Sequence, residues 1–300
     1  MTSPLESVAW IHGARDCSRT SDPLIQVHRL DRDTFVLRLS KCYSFEANFL
    51  YLLLARERGL LLDTGARPDA GARDRSLPLR RTVDDVITGW STERGLPEPD
   101  LVVAHTHAHG DHVSGDHQFT NRPQTRVVAP TLPEVTGFLG LPDWPDGRAD
   151  LDLGGRRVTV LPIPGHEPTH IAVHDSRTRA LFTGDMLYPG LLTVRDWPAY
   201  RRSAARLADL VRQEGVSVVL GAHIEMTRTP GELYPLGTTH QPDEHPLPLT
   251  PAHVLEFHEA CEAMAEAPHL DVHDDFVIRP PLPDEPRSGA VDGSALPRSG

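Results

Sequence analysis

Within six positions the chain places three imidazoles and a carboxylate: His107, His109, Asp111 and His112. They follow the apolar run Leu101-Val102-Val103-Ala104, which reads as a buried strand ending where the histidines begin. Imidazole nitrogen and carboxylate oxygen suit a borderline-soft divalent ion, and one turn of chain cannot place all four groups around a single ion. Further ligands are therefore expected downstream. Three candidates stand there: His166 in Pro164-Gly165-His166, Asp185 in Phe182-Thr183-Gly184-Asp185, and His223 in Leu220-Gly221-Ala222-His223. Each follows a β-branched or leucine-rich segment that reads as a strand. Four strand ends aimed at one place would make a metal site. A solvated, histidine-rich loop is the plainer account of residues 107–112, but it leaves the downstream partners unexplained.

The elements that must position these groups can be read in outline. Residues 1–22 show little periodicity and are expected to form a loosely attached arm. From Pro23 to Asp63, extended segments separated by Asp31-Arg32-Asp33 and Arg56-Glu57-Arg58-Gly59 suggest an antiparallel meander. A long loop from Asp63 to about Arg81 could border a substrate cleft. Thr82 is a plausible N-cap for a helix leading to the strand before the histidines. Strands are expected at 126–129, 157–161, 170–174, 180–183 and 216–220, and helices at 132–141, 198–213 and 251–265, the last capped by Thr250. The 280–300 tail, rich in Pro, Gly, Ser and charge, is expected to be disordered. Periodicity alone yields mixed α and β.

Composition narrows the function. The chain has 300 residues, 39% hydrophobic and 24% charged, an ordinary globular balance. The formal charge is −12 and Lys41 is the only lysine, so with no basic block a nucleic-acid groove is not expected. No apolar run approaches a membrane span, so no membrane association is expected. Cys17, Cys42 and Cys261 are odd in number and far apart, which suggests reduced thiols in a cytoplasm, with Cys42 a small core residue. Oligomeric state cannot be read.

Taken together, His107-x-His109-x-Asp111-His112, Gly165-His166, Gly184-Asp185 and His223 resemble the metallo-β-lactamase superfamily, in particular the hydrolase branch that includes glyoxalase II and the acyl-homoserine lactonases. Leu61-Leu62-Asp63-Thr64-Gly65 is similar to the family's first motif, and the resemblance spans roughly residues 25 to 225. It implies a four-layer αββα sandwich of two mixed β-sheets, here a catalytic domain over residues 23–279. It also implies two zinc ions: one on His107, His109 and His166, the other on Asp111, His112 and His223, with Asp185 bridging. A hydroxide held between two ions is a nucleophile at neutral pH, so no serine or cysteine nucleophile is required.

The expected function is a metal-dependent hydrolase cleaving a small acyl substrate (lactone, ester or thioester), with Asp111 and Tyr188 as catalytic residues. Tyr188 follows Asp185 by three residues, where the lactonases also carry a tyrosine. Its phenol would donate to a developing oxyanion, or Tyr188-Pro189-Gly190 is simply a turn with a packed ring. The alternative is a mononuclear Fe2+ dioxygenase resembling the persulfide dioxygenases, using His107, His166 and Asp185. A non-catalytic metal-binding protein is the third possibility, but no ligand is missing. Because His109 is histidine, the flavodiiron pattern does not apply. Glu167-Pro168-Thr169 after His166 departs from the glyoxalase II pattern, as do the unmatched glutathione-binding basic residues. Asp63 either supports the ligand loops or forms a turn; His105 and His170 are packed or supporting histidines. Glu225 and Thr227 line a pocket or brace ligands, and the proline-rich segment 224–249 could cover the site.

Overall fold

The computed structural model describes residues 4–72, 74 and 76–281. The first sheet runs in sequence order: β1 (Ile25–Asp31), β2 (Thr34–Leu39), β3 (Phe49–Leu54), β4 (Arg58–Leu62), β5 (Asp100–Ala104) and β6 (Thr125–Val127). It is antiparallel from β1 to β4 and parallel from β4 to β6. Between β4 and β5 lies helix α1 (Leu79–Arg94), and between β5 and β6 the short helical turn α2 (Gly110–Val113). After α3 (Leu132–Leu139) come β7 (Ala149–Asp152), β8 (Arg157–Pro162), β9 (Ile171–Asp175), β10 (Ala180–Gly184), β11 (Leu191–Thr193), helix α4 (Trp197–Glu214) and β12 (Val218–Gly221). The second sheet has the order β12-β10-β9-β8-β7, with β10 and β12 parallel and the other neighbours antiparallel. Helix α5 (Pro251–Met264), β13 (Asp271–Val272) and β14 (Val277–Arg279) follow. A small third sheet, β11-β14-β13, adds to the two mixed sheets expected.

Alternation along the strands sets the layers. In β2 and β3, Phe35, Leu37, Leu39, Leu50, Leu52 and Leu54 pack with Leu79, Val83, Ile87 and Trp90 of α1. The intervening Val36, Phe49, Tyr51 and Leu53 face Val158, Val160, Ile171, Val173 and Phe182 of the second sheet. On that sheet's far side, Leu161, Ala172, Leu181 and Val219 meet Tyr200, Ala204 and Leu207 of α4 and Val254 and Phe257 of α5. Side chains of period two thus bury both faces of each sheet, giving the helix-sheet-sheet-helix sandwich. Two helix starts test the capping rules. Asp196 accepts from Ala199 N–H at the head of α4, and Thr250 caps α5 as expected, in a capping box completed by His253. Helix α1 begins three residues before the expected Thr82, because the Thr82 hydroxyl donates back to the Pro78 carbonyl from inside the helix and does not cap it.

Three expectations change. Cys17 and Cys42 form a disulfide across 25 positions, and only Cys261 is free and buried. The arm folds back to bring the two Cα atoms within 5.3 Å, which sequence separation cannot show. Residues 4–22 are accordingly held in several places: Leu5 is 1% exposed, Trp10 packs on Phe49, the Ile11 N–H donates to Gln26, and Gly13 bridges His240. Segment 224–249 is pinned, since both terminal nitrogens of fully buried Arg38 on β2 donate to the Glu244 carboxylate at 2.5 Å. The expected disorder at 280–300 falls, from residue 282 on, outside the described residues. Among the described residues, no helix is long and apolar enough to cross a membrane.

Buried Arg156, in the β7–β8 turn, joins the two sheets. It donates to the carbonyls of Asp33 and Leu54 and the hydroxyl of Thr34 in the first sheet, and to both oxygens of Asp175 at the end of β9. Arg156→Ala strands the Asp175 carboxylate and three acceptors, and should cost about 3–5 kcal/mol in denaturant unfolding. Burial opposes ionisation of Asp175, but Arg156 and Thr178 hold its carboxyl below the usual range. The folded value is depressed, so this stabilisation is present above the unfolded value near 4 and lost as pH falls through the folded one. Asp175→Asn should therefore lower stability at pH 7 and flatten its decline below about pH 4.

Candidate metal centre

The parallel strands of both sheets end on the same side, and their C-terminal loops supply the candidate residues. Leaving β5, Thr106 is held by Asp63, at the end of β4: its N–H donates to Oδ1 at 2.7 Å and its hydroxyl to Oδ2 at 2.8 Å. His107 follows, His109 is extended, and α2 turns Asp111 and His112 back toward it. Gly165, at φ +139°, admits the next loop: a Cβ there would lie 2.5 Å from the backbone of Tyr200 on α4. At the end of β10, Gly184 has φ +52° and packs so closely that a Cβ would meet His170 and Thr106. Asp185 thereby stands against the first histidine loop, and His223 arrives from β12.

All seven sequence-derived candidates come together. Atoms of His107, His109, His166 and Asp185 form one group, and atoms of Asp111, His112, Asp185 and His223 a second, each within 4.8 Å. His109 Nδ1 stands 2.9 Å from His107 Nε2 and 3.0 Å from His166 Nε2. One proton on His109 satisfies at most one of these, whereas a tetrahedral ion about 2.0–2.1 Å from each nitrogen would hold all three about 3.3 Å apart. In the second group, Asp111 Oδ2 lies 3.1 Å from His112 Nε2 and 3.3 Å from His223 Nε2, and Asp185 Oδ1 3.3 Å from His223 Nε2. His112 Nε2 and Asp185 Oδ1 are buried without a hydrogen-bond partner. The donor set and these orphaned atoms fit cations in both groups. His109 and Asp111 are half-buried, which leaves the open side of the site between them.

The outer nitrogens are fixed by hydrogen bonds. His112 Nδ1 meets Asp63 Oδ2 at 2.9 Å, His166 Nδ1 donates to the Thr193 carbonyl at 2.7 Å, and His223 Nδ1 to the Glu46 carbonyl at 3.0 Å. Such bonds leave Nε2 as the lone-pair donor. Asn48 donates to Asp111 Oδ2 at 3.1 Å. Asp63 is thus a support, as one of its two sequence readings had it. His105 bonds Val128 and Asp116, and His170 donates to the Thr183 carbonyl beside the His107 ring, so neither joins a group. Sequence reasoning missed Asn48, Glu46 and Thr193. Two of these act through backbone carbonyls, which carry no side-chain signal.

The electrostatics divide the imidazoles. Burial drives the pKa of His107 well down, reinforced by His112, and lowers His166 to about 4. At His112 and His223 burial also opposes charge, but neighbouring carboxylates, chiefly Asp111 and Asp185, hold the pKa well above the usual value. Burial likewise opposes charge on Asp185, while His223, His112 and His107 keep its carboxyl well below the usual range. A bound cation would take over this pairing and release the protons.

Tyr188 lies beside the centre, its ring 5.5 Å from that of His223. Its hydroxyl donates to the Leu191 carbonyl at 2.9 Å and stands 3.1 Å from Glu225 Oε2; the residue is 5% exposed. The proton is committed within the protein, which favours the packed alternative. Glu225 Oε2 also accepts from Leu191 N–H, so Glu225 braces β11, while Thr227 bridges Glu244 in the segment beyond. Asp63→Ala should release His112 and Thr106 together. Expected is a 10- to 100-fold loss of metal affinity in chelator competition, with unchanged far-ultraviolet circular dichroism.

Comparison with known proteins agrees with this geometry. The chain is 27% identical over 209 residues to the acyl-coenzyme A thioesterase MBLAC2 of Homo sapiens, covering 58% of this chain and 72% of that protein. It is 30% identical over 101 residues to the hydroxyacylglutathione hydrolase of Mesorhizobium japonicum, covering 34% and 36%. Among solved structures, the metallo-beta-lactamase FIM-1 from Pseudomonas aeruginosa, in its mono-zinc form, superposes with a TM-score of 0.51 at 12% identity over 83% of this chain and 99% of that one, a likeness of fold. The model of the metallo-beta-lactamase superfamily matches residues 45–223, from the turn that carries Glu46 to the last candidate ligand. The chain belongs to the metallo-beta-lactamase superfamily, as an enzyme of its hydrolase branch.

Proposed function

We propose that this enzyme is a dinuclear zinc hydrolase that cleaves a small acyl substrate, a lactone, ester or thioester. The observation that carries the reading is the pair of complete donor groups sharing Asp185. His107, His109 and His166 would hold one ion, Asp111, His112 and His223 the other, and Asp185 both. The ions would supply Lewis acidity and a water of lowered pKa. The chain's own residues do the positioning: Asp63, Thr193 and Glu46 aim the imidazoles, Asn48 fixes one oxygen of Asp111, and half-buried His109 and Asp111 border the opening. Among the acyl classes, the human relative's name favours a thioester. Tyr188 supports Glu225 and β11 in this reading, so of the two residues expected to be catalytic only Asp111 keeps a place at the centre.

The iron dioxygenase alternative needs only His107, His166 and Asp185. It leaves Asp111, His112 and His223, brought together around an orphaned nitrogen, without a task. A cytoplasmic location belongs to this proposal too, but the Cys17–Cys42 bridge argues against it, since disulfides persist mainly in oxidising surroundings.

Elemental analysis of protein purified without added metal should show about two ions per chain, with zinc exceeding iron, and chelation should abolish turnover of a lactone and thioester panel under anaerobic conditions. One iron per chain with oxygen consumption would overturn the reading. Asp185→Ala should lower occupancy of both groups and His223→Ala mainly of one; loss of a single ion in both variants would remove the bridge. Tyr188→Phe should leave turnover essentially unchanged, against the roughly 100-fold loss that follows removal of an oxyanion donor.

A further inference from the structure

The Cys17–Cys42 bond lies at the surface. Both cysteines line an open cavity of about 450 Å³, rimmed by Arg15, Asp16 and Ser18, all exposed. Cys42 is 5% exposed and Cys17 is half-buried, so Cys17 is the more accessible half of the bond. Thiol exchange requires an approach to one sulfur, and a disulfide that offers it is open to reduction while the protein stays folded.

The same bond anchors the turn that serves one of the two donor groups. Cys42 stands near the start of the β2–β3 turn, and further along it the Glu46 carbonyl accepts from His223 while Asn48 donates to Asp111. Both contacts go to the second group; His166, in the first, is aimed from Thr193 on β11. Within the turn, Ser44 N–H donates to the Ser40 carbonyl and Ala47 N–H to that of Ser44, so a shift at Cys42 is passed along to Glu46 and Asn48. Ala47, between those two residues, has φ +45°, a conformation that a residue with a Cβ keeps only when its surroundings impose it. Asp69 accepting from Phe45 N–H at 2.7 Å and Lys41 donating to the Phe45 carbonyl at 3.1 Å supply part of that hold. The disulfide, which ties the turn to the arm, supplies the rest, so its loss should loosen the turn without unfolding it.

We infer that Cys17–Cys42 is an exchange site for small-molecule thiols, and that opening it slackens the turn behind the second donor group and weakens binding of one ion of the two. This rests on the dinuclear reading above. The incoming thiolate bonds to Cys17 Sγ, and the electron pair of the broken S–S bond leaves on Cys42, which takes a proton from water. A second thiol then displaces Cys17. Two thiols become one disulfide, and the protein gains two electrons and two protons.

Dithiothreitol applied to the folded protein is the probe, removed under nitrogen before metal is measured so that it does not compete as a chelator. Alkylation should then label Cys17 and spare buried Cys261. If Cys17 is labelled only after denaturation, the inference is overturned. In chelator competition one ion should be held about ten-fold more weakly after reduction, and reoxidation should restore it. A Cys17→Ser/Cys42→Ser double variant should show the weakened value with and without dithiothreitol; if it does not fold, the treated native chain decides. The ion that remains in His223→Ala should be held equally with the bond closed or open. Unchanged affinity for both ions, or equal weakening of both, would overturn the inference and leave the dinuclear reading intact. If the oxidised protein holds fewer than two ions, that reading fails separately, and hydrogen exchange on metal-free protein decides. Faster exchange of the amides of residues 43–48 on reduction, with β10 unchanged, upholds the slackened turn, and equal exchange overturns it.

Discussion

The Asp185 carboxylate is the group on which the rest of the site depends. It is 7% exposed, one oxygen has no hydrogen-bond partner, and His107, His112, His166 and His223 all point nitrogens at it from 3.3–3.6 Å. A buried carboxylate is costly unless countercharge or polar partners meet it, and here four imidazoles from three loops surround it. His112, His166 and His223 in turn would be poorly placed without the carboxylate or carbonyl behind each. The centre is a closed set of mutual dependences in which Asp63, Glu46 and Thr193 matter nearly as much as the candidate ligands.

The sandwich makes that convergence possible. Strands β4 and β5 of one sheet and β10 and β12 of the other run parallel within each pair, so each pair delivers its C-terminal loops to one edge. The inter-sheet core formed by Val36, Tyr51, Phe182 and their neighbours keeps those edges in register, and Arg156 ties the sheets away from the site with hydrogen bonds to both. Gly165 and Gly184 then allow two loops to approach closer than any side chain would permit. Position at the centre is thus inherited from strand ends: Asp185 and His223 come within two residues of the ends of β10 and β12, while short loops after β5 and β8 carry the remaining candidates.

Around this frame, the parts with the least sequence signal have structural duties. The arm, stapled by Cys17–Cys42, lies against the turn that presents Glu46 and Asn48 to the centre. Segment 224–249 is anchored by Arg38 and Glu244, and it walls a cleft opposite that turn. Charge burial at Arg38, Lys41 and Glu244 is tolerated because each is paired, which keeps this side of the molecule in one arrangement.

The sequence by itself determined the candidate ligands and their order. Histidine and aspartate at strand ends have a chemical meaning that survives without coordinates, and all seven such residues meet in space. It also determined the strands of the meander and the helix start at Thr250, because period-two burial and capping are local properties. Tertiary structure decided what depends on contacts between distant segments. The Cys17–Cys42 bond and the Arg38–Glu244 pair join positions 25 and 206 residues apart, the docked arm reaches from Gly13 to His240, and no local pattern encodes such pairings. The carbonyls of Glu46 and Thr193 act through backbone atoms that every residue shares. Whether the Tyr188 hydroxyl faces substrate or protein turned on Glu225, 37 residues away, and only the folded chain places that carboxylate within reach of the phenol.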